Sequence, residues 1–466
     1  MTKGARTKSD RRRGIGFVAA VVLLLASGWI GGIVPGRAAG TPPASADGET
    51  EQVLLRLGGE EIVATTIAMP LARNFLERKG AHGIGIVPAP APWTAEISGR
   101  MGNGNRVSIL VRAALTEEAF RLLAAGEIDI AMAGREPSPQ EVGAMPMLGH
   151  QDDSHAAAAI ARAAAVIAVH PGNPVETLSF RQLHGIYAGT VTDWAELGGR
   201  PGPIHALTRE GGSATRQLFD SVVLGSTPMA TTVRQLGSFE EMRSVAASDP
   251  DAIGYFVVPG SLKMLRVIVG DDTKVSPPDS YQLASGDYPL SQTLYLYRDP
   301  QGANADVSAF FDQALAVSSQ FTITSAGLSE LGPALILPSG ERRDSGRYEE
   351  LTRNALRVST TIRFDDGSTV VDSTASHDLD LLARYLRMLQ VRGDHLVHIA
   401  FSDGSGDPAA DERASRQLGE VVTTELRRRL VAPGDVVALG AQRPLVEDDT
   451  PVGRGINRRV ETWIRP

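Results

Sequence analysis

Leu207–Phe219 reads LTREGGSATRQLF: the end of an apolar strand, an arginine, two glycines, and a serine that opens a helix. Glycines let backbone approach a ligand closely, and a helix beginning near Ser213 aims unpaired N–H groups and its positive dipole end at that point. The Ser213 and Thr215 hydroxyls can donate, and Arg209 supplies a planar cationic fork suited to an oxyanion. The stretch therefore predicts an anion site. Simple capping of the helix by Ser213 is the alternative reading.

Outward from it, strands and helices alternate from Asp47 to about Ser339, as in an α/β protein. Val53–Leu57, Val107–Val111 and Ile128–Ala133 read as strands, and Ala68–Arg78 as a helix with Leu71, Phe75 and Leu76 on one face. Thr116 is placed to cap a helix over Glu117–Ala125, whose first-turn acids suit the dipole. Ser138-Pro139-Gln140-Glu141 and Ser179-Phe180-Arg181-Gln182 are capping boxes. The alanine-rich run Ala156–Ala165 reads as a buried strand or a helix leading into Val166–Val169.

Five phrases in order resemble the substrate-binding proteins of phosphate ABC transporters. They are Leu122–Arg135 (LLAAGEIDIAMAGR), Ala165–Trp194 (AVIAVHPGNPVETLSFRQLHGIYAGTVTDW), Leu207–Phe219, Ala252–Phe256 (AIGYF) and Tyr288–Tyr297 (YPLSQTLYLY). The resemblance implies a type II periplasmic-binding-protein fold over 47–339, with two α/β lobes joined by crossing strands and the ligand in the cleft. It also implies phosphate as ligand and an ABC-transporter permease as partner. In the family an arginine followed by a Ser-Gly-Thr turn holds the anion; this chain matches at Arg209, Ser213 and Thr215 and has Ala214 for the glycine.

Other positions depart from that pattern. The family's first strand–helix loop carries hydroxyls, whereas the matching stretch here is Gly58-Gly59-Glu60-Glu61-Ile62. Where the family ends its third strand with serine or aspartate, this chain has Gly134, followed by Arg135; Thr116 stands for a second-loop serine. A cleft holding Arg209, Arg135 and Glu60 suits a zwitterion or another oxyanion, or holds nothing.

The closing run Gly453-Arg454-Gly455-Ile456-Asn457-Arg458-Arg459-Val460-Glu461 ends a separate unit. Strand patterns at Ser359–Phe364 and His395–Phe401, helical spacing at Asp378–Leu389 and Asp411–Leu430, and two further strands give a βαβαββ order. This unit, 355–466, resembles the α+β OmpA-like peptidoglycan-associated domain. There an aspartate after the second strand and an arginine in the next helix clasp a diaminopimelate residue of peptidoglycan. Asp403 matches the aspartate, and Leu418 falls where the arginine belongs, presenting apolar surface and weakening the expected hold. Arg458 is the other candidate contact, with a structural ion pair as its alternative. Residues 340–354 are charged and patternless, a linker with room for one helical turn.

The start agrees with a cell-envelope address. Arg11, Arg12 and Arg13 precede an apolar run from Ile15 to Val34, and Ala44-Ser45-Ala46 fits a small-x-small cleavage site, so 1–46 reads as a secretory signal. The run approaches the roughly 20 residues that span a bilayer, which leaves an uncleaved anchor as the alternative. The formal charge of −8 over 466 residues includes +6 in that segment, so the remainder carries −14 and is ill suited to nucleic acid. With no cysteine there are no disulfides or thiolate sites.

His150-Gln151-Asp152-Asp153-Ser154-His155 has metal-ligand types without a coordination spacing, and Asp403-Gly404-Ser405-Gly406-Asp407 lacks the later glutamate of a calcium loop. No metal or cofactor is expected. A nucleophile elbow, a His-Glu-x-x-His helix and a phosphate loop are all missing, so the chain is expected not to be an enzyme. The reading is an exported solute-binding protein with a cell-wall module. Its alternative is an envelope scaffold in which both ancestral sites are degenerate.

Overall fold

The structure is a computed structural model and describes residues 51–149, 156–257, 261–269, 273–275, 280–302, 304–329, 331–337, 346–447 and 450–466. The expected signal or anchor at 1–46 and the His150–His155 loop lie outside the described residues. Among the described residues no helix is long and apolar enough to cross a membrane.

The first lobe is built on β1 (Glu51–Gly59), β2 (His82–Pro88), β3 (Ala95–Arg100), β4 (Arg106–Ala113), β5 (Ile130–Ala133), β6 (Ala157–Ala164) and β15 (Ser291–Arg298), in the order β2-β3-β4-β1-β5-β15-β6. β1 lies parallel to both β4 and β5, and its Leu54, Leu55 and Leu57 are buried, as a strand covered on both faces requires. The helix after β1 begins at Glu61, runs through a π-helical turn at Ala64–Ala68 and ends at Arg78, seven residues earlier in its start than the sequence pattern indicates. Thr65 and Thr66 hide that first turn from a propensity reading; their hydroxyls donate to the carbonyls of Glu61 and Ile62.

The chain crosses into the second lobe between β6 and β7 (Val166–Val169), and the alanine-rich run is thus strand. There β7, β9 (His205–Arg209), β10 (Arg234–Leu236), β11 (Ala252–Phe256) and β12 (Lys263–Met264) form a sheet ordered β10-β9-β11-β7-β12. A small sheet of β8 (Thr177–Ser179), β13 (Arg266–Val269) and β14 (Thr273–Val275) flanks it. Both expected capping boxes form, at Ser138 and Ser179. The Tyr187, Phe219 and Tyr255 rings stack at the lobe's centre with Tyr187–Phe219 at 4.5 Å and Phe219–Tyr255 at 4.4 Å. The return crossing precedes β15, and Ala165 N–H donates to Leu290 O at 2.7 Å, tying the two crossings together.

The C-terminal unit is a sheet of β16 (Leu335–Ile336), β17 (Leu356–Arg363), β18 (Leu396–Phe401), β19 (Asp435–Ala438) and β20 (Arg459–Ile464), ordered β16-β17-β20-β18-β19. Helices Ser373–Met388 and Pro408–Arg428 cover it, and their Leu379, Leu382, Leu418 and Val422 share one apolar core. Within the stretch expected as linker, helix Arg347–Thr352 packs its Tyr348 and Leu351 against Phe401 and Trp463.

This unit docks on the crossings through buried ions. Arg357, 1% exposed, donates to both carboxylate oxygens of Asp287, to Thr361 Oγ1 (2.7 Å) and to Tyr281 Oη (2.9 Å). Arg363 donates to Gly286 O at 2.6 Å, and Arg162 of β6 donates to Ala284 O at 2.9 Å. Burial opposes the charge on Asp287, yet the Arg357 and Arg363 guanidiniums outweigh it and hold the carboxyl well below the usual carboxylate range. On the other side, Val446 belongs to the second lobe's core and Ile456 packs against it.

Breaking this pair from one side strands a buried charge. Arg357→Ala is therefore expected to cost about 3–5 kcal/mol in urea unfolding of the full chain. Replacing both Arg357 and Asp287 by apolar residues should cost much less. A second test concerns His398 on β18, 1% exposed, whose imidazole burial holds down to about 4. The unfolded chain takes up that proton near pH 6.5, so the stability contributed by neutral His398 is complete above that pH. It should be lost, by about 3 kcal/mol in all, as pH falls from 6.5 to 4. Hydrogen exchange of the β18 amides across that range should show the loss, and His398→Gln should flatten it.

Candidate functional site

Gly59 ends β1 at φ 145°, and a Cβ there would lie 1.9 Å from Met132 O, so only glycine passes. The next residue is pinned: Glu60 N–H donates to Met132 O at 2.9 Å, and Ala114 N–H donates to Gly59 O at 2.7 Å. Glu60 is thereby aimed inward and is 1% exposed. Its Oε1 accepts from Thr116 Oγ1 at 3.1 Å in the first lobe and from Ala214 N–H at 2.9 Å in the second. Thr116 in turn accepts from Gly134 N–H at 3.0 Å. Burial pushes the Glu60 carboxyl above its ordinary value, against the lowering by the Ala214 N–H, Arg209 and the Thr116 hydroxyl.

Arg209 ends β9 and is 3% exposed. Its Nη1 donates to Glu61 Oε2 at 3.0 Å across the cleft, its Nη2 to Gly237 O at 3.0 Å, and its guanidinium lies 4.4 Å from the Phe239 ring centre. Glu61 Oε2 also accepts from Phe239 N–H at 3.1 Å, the first residue of helix Phe239–Ser248. Tyr255 Oη accepts from Arg209 N–H at 3.2 Å, so the aromatic stack of the second lobe positions the arginine. Thr215 Oγ1 donates to Gln292 Oε1 at 3.2 Å, again across the cleft.

The structure brings Glu60, Thr116, Arg209, Ser213 and Thr215 to one buried place where the lobes meet. Two expectations need correcting. Thr116 is the first residue of helix Thr116–Ala124 and not its cap, which is Leu115 with no side-chain bond, because the threonine hydroxyl turns to Glu60 instead. Ser213 occupies the cap position of helix Ala214–Phe219 without a side-chain cap bond, so capping does not explain it. Arg135 sits beside the cleft in a bidentate pair with Glu141 (2.7 and 2.8 Å) and donates to Gln217 Oε1 of the second lobe at 2.7 Å. Burial opposes the Glu141 charge, but Arg135 and Ser138 hold its carboxyl down to about 2. Glu61 escaped the sequence reading as a site residue, although its place one residue after Glu60 carried the signal.

Three donors of this place, Ser213 Oγ, Gln292 Nε2 and Arg209 Nε, have no hydrogen-bond partner among the described residues. The bonds to Glu60 fall on its Oε1 and those to Glu61 on its Oε2, and neither reaches these three donors.

In the C-terminal unit, Asp403 follows β18, and Arg458 Nη1 donates to its Oδ1 at 2.6 Å while Nη2 donates to Ser368 O at 2.6 Å. Asp407 caps helix Pro408–Arg428, and Ser405 N–H donates to Asp411 Oδ1 at 2.9 Å, so the Asp403–Asp407 stretch is a strand-to-helix turn. Leu418 is 0% exposed in the core and presents no apolar surface, because its helix turns that face to the sheet. Arg416 pairs with Glu412 at 2.7 Å on the solvent side. Elsewhere His205, Asp249 and Asp251 bring ligand atoms within 4.8 Å of one another. His205 Nδ1 lies 2.7 Å from Asp249 Oδ2, and Asp249 Oδ1 accepts from Asp251 N–H at 3.0 Å, as in an exposed turn.

Residues 94–317 match the family model described as a PBP superfamily domain. Over this segment, a little under half of the chain, the sequence is similar to PBP-like domains. The phosphate-binding protein PstS of Bacillus subtilis (strain 168) is 29% identical over 140 residues, 29% of this chain and 43% of that protein. Outer membrane porin F of Pseudomonas fluorescens is 30% identical over 111 residues, 23% of this chain and 33% of that protein. The chain thus spans less than half the length of these curated relatives. An ABC-type phosphate transport receptor from Vibrio cholerae is similar in structure, with 22% identity, a TM-score of 0.43, and coverage of 60% of this chain and 100% of that one. The Bacillus subtilis relative is named as a phosphate-binding protein.

With Leu418 in the core, Leu418→Arg places an unpaired charge there. It should lower the stability of the C-terminal unit by about 3 kcal/mol or more, read as loss of its cooperative urea transition, rather than add a ligand contact.

Proposed function

We propose that this chain is an exported, non-catalytic protein of the cell envelope that joins a phosphate-binding-protein-like, two-lobed oxyanion-binding unit to an OmpA-like unit for cell-wall association. The observation that carries the first half is the donor set. Thr116 Oγ1, Ala214 N–H, Ser213 Oγ and Arg209 are contributed from both lobes to one buried place, and Ser213 Oγ and Arg209 Nε have no acceptor among the described residues. Such a surplus is costly unless an acceptor-rich group occupies the cleft. The likeness to the phosphate-binding protein of Bacillus subtilis supports inorganic phosphate as the first ligand to try.

The second half rests on Asp403 and Arg458, a carboxylate and a guanidinium side by side, which offer an ammonium site and a carboxylate site to a diaminopimelate centre. Arg458 would then stand in for the helix arginine that the resemblance implies, and Leu418 has no part in it. The basic and apolar start and the likeness to an outer membrane porin support an envelope address. An ABC-transporter permease is the partner that the first lobe pair suggests.

The second reading, a scaffold with a retired cleft, is favoured by one observation: Glu60 carboxylate oxygen already sits on two of the donors.

Thermal unfolding of the full chain with and without inorganic phosphate decides between them. Phosphate at 100 times its Kd should stabilise by about 2.7 kcal/mol, and Arg209→Ala should abolish the shift. No shift at any concentration favours the scaffold. For the wall module, full-length protein should sediment with purified peptidoglycan, and Asp403→Ala should reduce the pelleted fraction severalfold.

A further inference from the structure

The position of Glu60 has a consequence for how the cleft selects and releases a ligand. Its Oε1 accepts at once from the hydroxyl of Thr116 in one lobe and from the N–H of Ala214 in the other, at 3.1 and 2.9 Å. Glu61 adds a second bridge, accepting from Arg209 Nη1 at 3.0 Å and from Phe239 N–H at 3.1 Å, both in the opposite lobe. Two neighbouring carboxylates from one loop therefore take the hydrogen bonds and the cationic partner that an oxyanion would take. The surroundings are shaped to them. A Cβ at Gly134 would lie 2.7 Å from the Ala214 methyl and 3.2 Å from Glu60 Cγ. The small residue at 134 thus makes room for a methyl at 214 and for the glutamate stem, at two positions where the resemblance implies a larger polar residue and a glycine.

We propose that Glu60, assisted by Glu61, is a built-in competitor for the cleft's oxyanion: the chain's own carboxylate fills the anion's place, holds the two lobes together without a ligand, and sets a threshold that an incoming anion must exceed. The proposal rests on the oxyanion reading of the same site. It follows from chemistry already described. Glu60 satisfies Thr116 and Ala214 through one oxygen, and Ser213 Oγ and Arg209 Nε remain without acceptors, whereas a phosphate brings four acceptor oxygens spread in three dimensions. A tetrahedral anion that displaced the carboxylate would gain those donors and lose to repulsion wherever the glutamate stayed close. Selection therefore favours a ligand with more acceptor atoms than a carboxylate, and weak anions are excluded. Gly59 gives the loop its turn, so displacement of Glu60 means rotation of the side chain, not of the strand.

The experiment is a series at residue 60 in the full chain, with inorganic phosphate as probe and circular dichroism as the folding control. Glu60→Ser should lower the thermal midpoint without phosphate, because the Ala214 N–H loses its acceptor and the lobes lose a bridge. Phosphate should restore it, and calorimetry should give a Kd roughly tenfold or more below that of the wild type, a gain of about 1.4 kcal/mol. Glu60→Gln keeps the shape and one acceptor oxygen and is the variant that folds if serine does not. It should gain a smaller part of that affinity, because a neutral amide competes less well for the cationic side of the cleft. Acetate should raise the midpoint of Glu60→Ser and leave the wild type unmoved. Equal phosphate affinity in the wild type and both variants overturns the competitor and leaves the oxyanion reading standing. No phosphate binding by any of the three overturns that reading and the competitor with it.

Discussion

The buried pair of Arg357 and Asp287 decides how the three parts of this molecule are held. Asp287 lies just ahead of the strand that returns to the first lobe, and Arg357 lies on the first long strand of the C-terminal sheet. An ion pair taken out of water gains little net stability, since desolvation offsets most of the attraction. What it does supply is selectivity. Only one docking geometry gives Arg357 its carboxylate and the Tyr281 hydroxyl together, and any other leaves a buried charge unpaired. The apolar contact of Val446 and Ile456 with the second lobe provides the area, and the ions fix the register.

Because the C-terminal unit rests on both sides of the crossings, the lobes cannot move apart without consequence. Arg162 and Arg363 grip the segment from Leu283 to Asp287, between the two lobes, while the Thr450 side chain approaches Gly225 in the second. A rotation about the crossings that opens the cleft must therefore strain one of these contacts or carry the C-terminal unit along. The state of the cleft and the seating of the C-terminal unit are mechanically linked through a few named residues, and the carboxylates of Glu60 and Glu61 add to the closed side of that balance.

Much of the architecture was legible in the sequence. The capping boxes at Ser138 and Ser179, the strand Ile130–Ala133, and the strands and two long helices of the C-terminal unit follow from local chemistry that tertiary packing does not override, whereas a short helix, Pro451–Asn457, interrupts the expected βαβαββ order before its last strand. The first turn after β1 was not legible, because two β-branched threonines and a proline conceal a helix that lobe packing stabilises. The anion site was legible in its residue types and not in its state. The family resemblance implies Glu60 near Arg209, but only the fold reveals that the carboxylate turns inward onto Thr116 and Ala214 while Glu61 takes the arginine. Leu418 marks the limit in the other direction. Alignment by motif put it at a binding position, whereas helical periodicity, with Ser415, Leu418 and Val422 on one stripe, already placed it toward the sheet.

The two candidate sites, Glu60 in the cleft and Asp403 beside Arg458 in the C-terminal unit, differ in exposure. Glu60 is sealed at 1% exposure and its donors come from two lobes, so its bonds must be exchanged one for one by whatever enters. The side chain of Asp403 keeps 21% exposure while that of Arg458 is buried at 7%, so the carboxylate is the part of the pair that reaches solvent. A sealed cleft in which a carboxylate already holds Thr116 and Ala214 suits a site that responds only above a threshold. The Asp403 carboxylate needs no such exchange to meet solvent, and Arg458 behind it fixes its position.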